Sequence, residues 1–192
     1  MTGHDFLRRL VTAFDQVQIP YMVTGSFASS AHGRVRATED IDVVIAPTAQ
    51  QVLDLVDEFP AGRFYADKDA ALEALRQQSQ FNIIDVETAW KADLIIRKTR
   101  EFSRTEFERR HAYSIDGLRV YLATAEDVLI AKLEWARAAG SERQIEDAAG
   151  IIESQGGGLD IAYVERWVRE LRLDDEWRKA RESARDAGRD LS

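Results

Sequence analysis

The sequence predicts an α+β fold, a mixed sheet flanked by helices and followed by a C-terminal helical bundle. Three observations carry this. Up to Leu122, short apolar runs with the two-residue period of strands alternate with segments of helical period. Asp116-Gly117, a two-residue hairpin signal, joins the last pair of those runs. Beyond Leu122 only helical patterns remain. The expected division is an α/β core over residues 1–122 and a helical region over residues 123–192.

In chain order, Phe6, Leu7, Leu10, Val11, Phe14 and Val17 form a helical stripe within residues 4–17. Ile19 to Thr24 reads as a short apolar strand. Gly25-Ser26 then opens a small-residue segment, Phe27 to Ala31, suited to one or two helical turns. Asp40 to Ile45 alternates acids with aliphatics, as a strand does. Thr48 with Gln51 is a capping-box pattern ahead of a helix carrying Val52, Leu55, Val56 and Phe59 on one face. A short strand over Arg63 to Ala66 precedes a helix over Asp69 to Gln78, with Leu72 and Leu75 inward. Phe81–Val86 and Ala92–Ile96, joined by a short polar turn, read as a hairpin, and so do Tyr113–Ile115 and Leu118–Leu122.

Thr124 with Asp127 caps the next helix, which runs to Ala138 and ends at Gly140; Ser141 with Gln144 is expected to cap its successor. Gly156-Gly157-Gly158 breaks the chain, and two more helices follow, one carrying Val164, Trp167, Val168 and Leu171. The four tryptophans fall at helical apolar positions or in turns and are expected to pack in the core.

Composition narrows the function classes. With 192 residues, 45% hydrophobic and 31% charged, the chain can bury a real core. It has no cysteine, which excludes disulfides, thiolate metal sites and a cysteine nucleophile. No run approaches the roughly 20 apolar residues that span a bilayer, so a cytoplasmic protein with no membrane partner is expected. The net charge of −8, from 34 acids and 26 bases, counts against a broad nucleic-acid-binding face. Arg97, Lys98, Arg100, Arg104, Arg109 and Arg110 make the densest basic stretch; Glu101, Glu106 and Glu108 interrupt it, as on an exposed mixed-charge helix face.

The chemistry concentrates at Asp40-Ile41-Asp42. Side chains two apart on a strand leave the same face, roughly 6.6 Å apart along it. Two like charges held so repel, and a divalent cation turns that cost into a ligand set, because hard oxygen donors suit Mg²⁺. A bare Asp-x-Asp is more often a solvated strand face. Gly25-Ser26 upstream shifts the balance: glycine at a strand-to-helix turn lets backbone approach a ligand, and the amides at a helix start favour an anion. A phosphate cradle followed by paired carboxylates is a coherent site for phosphoryl chemistry.

Gly25-Ser26, a short spacer and Asp40-x-Asp42 flanked by aliphatics together resemble the signature of the nucleotidyltransferase superfamily, which includes DNA polymerase beta and the aminoglycoside nucleotidyltransferases. Thr124 to Lys132, followed by Ser141 to Asp147, resembles the AbiEii-type branch, whose members often serve as toxins of toxin–antitoxin pairs. The resemblance spans residues 17–155. It implies a nucleotidyltransferase-type sheet and Mg²⁺ or Mn²⁺ held by Asp40, Asp42 and a third carboxylate. It also implies an NTP whose phosphates lie on Gly25 and Ser26, transfer of an NMP to a hydroxyl acceptor such as RNA or tRNA, and a cognate antitoxin as partner.

Asp93 and Asp85 compete for the third carboxylate. If their runs form a hairpin, both acids are expected on one face; Asp93 is favoured because Lys91-x-Asp93 before aliphatics resembles related members. Lys132, with Val128, Leu129, Trp135 and Ala136 as helical neighbours, either snorkels to an edge or presents its ammonium to an anion. The resemblance implies the second, with Lys132 on nucleotide phosphates. Arg143 and Asp147 have the spacing of a surface ion pair, while the resemblance makes Asp147 part of the site. Arg34 and Arg36 lie in the loop feeding the carboxylate strand, where they either meet a triphosphate, screen the acids or stay solvated. Two alternatives stay open: an aminoglycoside-type small-molecule nucleotidyltransferase, and a non-catalytic binding module on the same fold.

Overall fold

The computed structural model of the chain describes residues 2–32 and 40–190. The chain forms two compact units, Met1–Phe27 with Ala37–Ala123, and Ala28–Arg36 with Thr124–Ser192.

Among the described residues the first unit holds seven strands: β1 (Tyr21–Thr24), β2 (Asp40–Ile45), β3 (Phe64–Tyr65), β4 (Gln80–Asp85), β5 (Lys91–Ile96), β6 (His111–Ile115) and β7 (Leu118–Leu122). They form one sheet in the order β3-β4-β5-β2-β1-β7-β6. The pairs β2–β5 and β1–β7 are parallel and the others antiparallel, so the sheet is mixed as expected. The β6–β7 hairpin turns on Asp116 and Gly117, whose φ values of 47° and 76° are those of a two-residue turn that matches strand twist.

Helices α1 (Gly3–Gln16), α3 (Ala49–Asp57) and α4 (Lys68–Gln77) cover one face of this sheet. Their apolar stripes, including Phe6, Leu10, Phe14, Val52, Leu55 and Ala71, pack with Val23, Ile41, Val43, Ile45, Ile83 and Leu94 in one core. The caps at Thr2 and Thr48 fix where two of these helices start. Each threonine hydroxyl accepts the N–H three residues on, and the Asp5 or Gln51 side chain returns a bond to the cap amide. Helix α2 (Gly25–His32) follows β1 directly, and α5 (Glu101–Arg109) follows β5. In α5, Phe102 and Phe107 are buried, and Arg100 and Arg97 lie over their rings at 5.4 Å.

The second unit contains α6 (Ala125–Ala139), α7 (Glu142–Gln155), a 3₁₀ turn (Gly156–Gly158), α8 (Ile161–Leu171) and α9 (Asp174–Asp190). Thr124 caps α6, and Gly140 ends it at a φ of 60°. Ser141 departs from expectation: it stands at the N-cap of α7, yet its side chain makes no cap hydrogen bond. Its ψ is 106°, against 163–168° at the three capping threonines Thr2, Thr48 and Thr124. Trp167 and Trp177 are buried as expected, whereas Trp135 is 57% exposed. The buried stripe of α6 runs through Val128, Leu129, Lys132, Leu133 and Ala136, and Trp135 falls beside it. Among the described residues no helix is long and apolar enough to cross a membrane.

Tyr21 ties the core to the β7 side of the sheet. Its ring stacks on Phe14 at 5.0 Å, meets Tyr121 edge-on at 5.7 Å, and its hydroxyl donates to the Arg119 carbonyl at 3.3 Å. Burial outweighs a separate backbone hydrogen bond from Tyr121, which favours the ionised form, and pushes the phenol from 10.0 up to about 12. Between those values the unfolded chain releases a proton that the folded chain keeps, so stability falls as pH rises through that window. The expected loss reaches about 2–3 kcal/mol. Urea titrations at intervals between pH 9.5 and pH 12 should show a shallower decline for Tyr21→Phe than for the unchanged chain; equal slopes would contradict this coupling.

Candidate active site

Strand β2 sits at the centre of the sheet, between β1 and β5. Ile41, Val43 and Ile45 are fully buried in the core, so Asp40 and Asp42 leave the opposite face. On β5 the buried set is Ala92, Leu94 and Ile96, which sends Lys91 and Asp93 to that same opposite face. The parallel register then makes Asp42 and Asp93 direct neighbours and pairs Asp40 with Lys91. Three carboxylates thus share one face of two adjacent strands.

Asp85 does not join them. The antiparallel β4–β5 register pairs Asn82 with Asp93 and Ile83 with Ala92. Asp85 is two residues from Ile83 and therefore falls on the core face, where it is fully buried. There its carboxylate accepts the Glu87 N–H at 3.0 Å and lies 3.5 Å from the Arg63 guanidinium. Its backbone bonds to Trp90 and Ala89 close the β4–β5 turn. The expectation that both acids share a face is corrected: the two strands do form a hairpin, but its register puts the acids on opposite sides.

The face is densely wired. The Lys91 ammonium lies 3.1 Å from Asp93 Oδ2 and 3.4 Å from Asp40 Oδ1. The Asn82 amide donates to the other oxygen of Asp93, which orients that carboxylate. Partial burial pulls the Lys91 ammonium down, but the hydrogen bonds and charges of Asp93 and Asp40 outweigh it and hold the group above its ordinary value. In the sequence Lys91 stands out only as part of a motif, and Asn82 carries no signal of its own. The two-residue spacing of Lys91 and Asp93 was the available signal for a shared face; their contacts depend on the neighbouring strands.

Gly25 forms the rim of this face. Thr24 is the register partner of Asp42, and the next residue turns with a φ of 63° into α2. A Cβ built on Gly25 would lie 1.9 Å from Asp42 Oδ2 and 2.7 Å from its Cγ. Only glycine allows both that backbone conformation and that approach. Ser26 follows in the first turn of α2, so the start of a helix stands immediately beside the Asp42 carboxylate.

The donor set fits a hard divalent cation such as Mg²⁺ or Mn²⁺: carboxylate oxygens on one face, with Asp42 packed against the Gly25 backbone. Among the described residues no group of three or more His, Cys, Asp or Glu side chains is arranged to hold a metal ion. Mg²⁺ sites of nucleotide chemistry do not require such a cage, because one or two carboxylates act with substrate phosphates and water.

The second unit contains its own buried charge pair. Lys132 on α6 is 4% exposed, and its ammonium donates to Asp147 Oδ2 on α7 at 2.9 Å, with Gln144 Oε1 at 3.4 Å. The lysine therefore neither snorkels to an edge nor lies against apolar residues alone. Asp147 faces the preceding helix rather than forming only a surface pair with Arg143. Arg34 and Arg36 lie outside the described residues.

Replacing Gly25 with alanine should place a methyl group against Asp42 in a backbone conformation alanine resists. The expected loss is about 1–3 kcal/mol. In an Asp42→Ala background the two nearest contacts vanish, so Gly25→Ala should cost less there, by about 0.5 kcal/mol or more. Guanidinium unfolding of the four chains gives this cycle directly; an equal cost in both backgrounds would contradict the close approach.

The chain matches no family model and no curated protein sequence. It does resemble solved structures. The solution structure of the antibiotic-resistance factor ANT(2'')-Ia superposes with a TM-score of 0.55 at 17% identity, covering 88% of this chain and 95% of that one. The crystal structure of ANT(2'')-Ia in complex with adenylyl-2''-tobramycin gives a TM-score of 0.56 at 13% identity, covering 90% and 99%. An antigenic nucleotidyltransferase-like protein from Paracoccidioides brasiliensis gives 0.49 at 18% identity, covering 90% and 91%. The chain has the nucleotidyltransferase fold, a mixed sheet flanked by helices and followed by C-terminal helices.

Proposed function

We propose that the chain is a nucleotidyltransferase that moves a nucleoside monophosphate from an NTP to a hydroxyl acceptor. One observation carries this reading: Asp40, Asp42 and Asp93 leave a single sheet face, with the Gly25 turn closed against Asp42. Carboxylates crowded beside a helix start are expensive as structure and useful as chemistry.

In this reading Gly25 and Ser26 hold the β- and γ-phosphates through backbone N–H and hydroxyl groups. Asp40, Asp42 and Asp93 are the residues that would hold Mg²⁺ or Mn²⁺, which when bound neutralises charge on the triphosphate. Asp93, oriented by Asn82, accepts the proton of the acceptor hydroxyl. That oxygen attacks the α-phosphorus in line; the bond to the bridging oxygen breaks, and pyrophosphate leaves. Positioning and charge neutralisation supply most of the rate. Arg36, Lys132 and Asp147 enter on the resemblance alone, Arg36 and Lys132 as further cations for the phosphates and Asp147 as a further catalytic carboxylate.

The AbiEii-type resemblance extends the proposal to an RNA or tRNA acceptor, a toxin role and a cognate antitoxin. A second reading takes a small aminoglycoside as acceptor. The fold match to ANT(2'')-Ia, solved with an adenylylated tobramycin, and the net charge of −8, which suits a cationic acceptor better than a polyanion, favour it.

The test is transfer of label from each α-labelled NTP, with Mg²⁺, to total RNA, to purified tRNA and to a panel of aminoglycosides. One acceptor class should take up label, and Asp40→Ala/Asp42→Ala should reduce the rate roughly 10²-fold or more. Equal labelling by the unchanged chain and the double variant would sink the mechanism. NTP binding that ignores Asp42→Ala, with no acceptor labelled, would favour a non-catalytic module.

A further inference from the structure

Lys91 points to a control on this site. It stands directly across from Asp40 in the β2–β5 register, on the same face as Asp42 and Asp93. Its ammonium bridges two of the three carboxylates, at 3.1 Å from Asp93 and 3.4 Å from Asp40. It is short of full exposure, at 32%, while Asp93 is 14% exposed and Asp40 54%. The lysine therefore occupies ground on the carboxylate face itself, between the two strands. Asn82 takes the remaining oxygen of Asp93, so in this arrangement both oxygens of that carboxylate are engaged by neighbouring side chains.

We propose that Lys91 is a resident counter-ion that competes with the divalent cation for Asp40 and Asp93, and so sets the metal concentration at which the site loads. This rests on the reading of the three carboxylates as a metal site. The ammonium relieves the repulsion among the acids, which allows the sheet face to form before any metal arrives. A monovalent, partly solvated ion pair is weak, so a divalent ion can displace it. Displacement is a matter of position and charge: the lysine stem is flexible, and the ammonium need only swing off the acids. The consequence is a site whose carboxylates are held in place but whose affinity for a bare ion is held down, so that loading is favoured when an NTP brings further ligands for the ion.

The test is Mn²⁺ binding without nucleotide, read from the electron paramagnetic resonance signal of free Mn²⁺ at fixed ionic strength. Lys91→Gln should tighten binding about fivefold or more, the worth of at least one unit-charge pair at about 4 Å in water-like surroundings. Lys91→Arg, which keeps the charge, should stay near the unchanged chain and shows whether loss of charge or of shape is responsible. Unchanged or weaker Mn²⁺ binding by Lys91→Gln overturns the inference, since Lys91 would then be neutral toward the ion or act with it. Asp42→Asn separates the two readings. If the unchanged chain binds no Mn²⁺, or binds it equally after Asp42→Asn, the metal site itself has failed, and the inference falls with it.

Discussion

The repulsion among Asp40, Asp42 and Asp93 is the constraint around which the first unit is arranged. Strand periodicity forces it: once Ile41, Val43, Ile45, Ala92, Leu94 and Ile96 enter the core, the residues between them share the other face. The core is large and apolar, so the sheet cannot slip by one residue to relieve the charges without exposing six buried aliphatics. The repulsion is instead met locally, by the Lys91 ammonium and the Asn82 amide. Gly25 contributes by omission, since any side chain there would meet the Asp42 carboxylate.

This makes the carboxylate face a place where stability and chemistry pull in different directions. A fold under no functional demand would keep one acid or none at these positions, because the central strands of a buried sheet favour apolar residues. Here the two central parallel neighbours, β2 and β5, carry all three acids, and β1, which ends at the Gly25 turn, pairs with β2. Lys132 and Asp147 repeat the theme in the second unit, as a buried charge pair between two helices that apolar packing alone would not require.

Much of this was legible in the chain. The Asp40–Asp42 pairing on one face follows from a two-residue period, a property of the strand alone. The threonine caps at Thr48 and Thr124 and the Asp116-Gly117 turn are equally local. What failed depended on register or on neighbours. Strand periodicity alone does not separate Asp85 from Asp93, which only the resemblance favours; the pairing across the β4–β5 turn decides their faces and sends Asp85 into the core beside Arg63. The bridging position of Lys91 requires the parallel β2–β5 pairing, which no local pattern announces. Lys132 and Asp147 lie on separate helices, so their contact needs the packing of α6 on α7. Ser141 has the residue type of a cap and stands at the N-cap of α7, yet its side chain makes no cap bond, which residue type alone does not reveal.

The most direct measurement is anomalous diffraction from crystals grown with Mn²⁺ and a non-hydrolysable NTP analogue. The carboxylate face should carry a manganese peak bounded by Asp40, Asp42 and Asp93, with the triphosphate against the Gly25-Ser26 turn. A nucleotide bound elsewhere on the chain, with no manganese at those three carboxylates, would contradict a nucleotidyl-transfer site at this face.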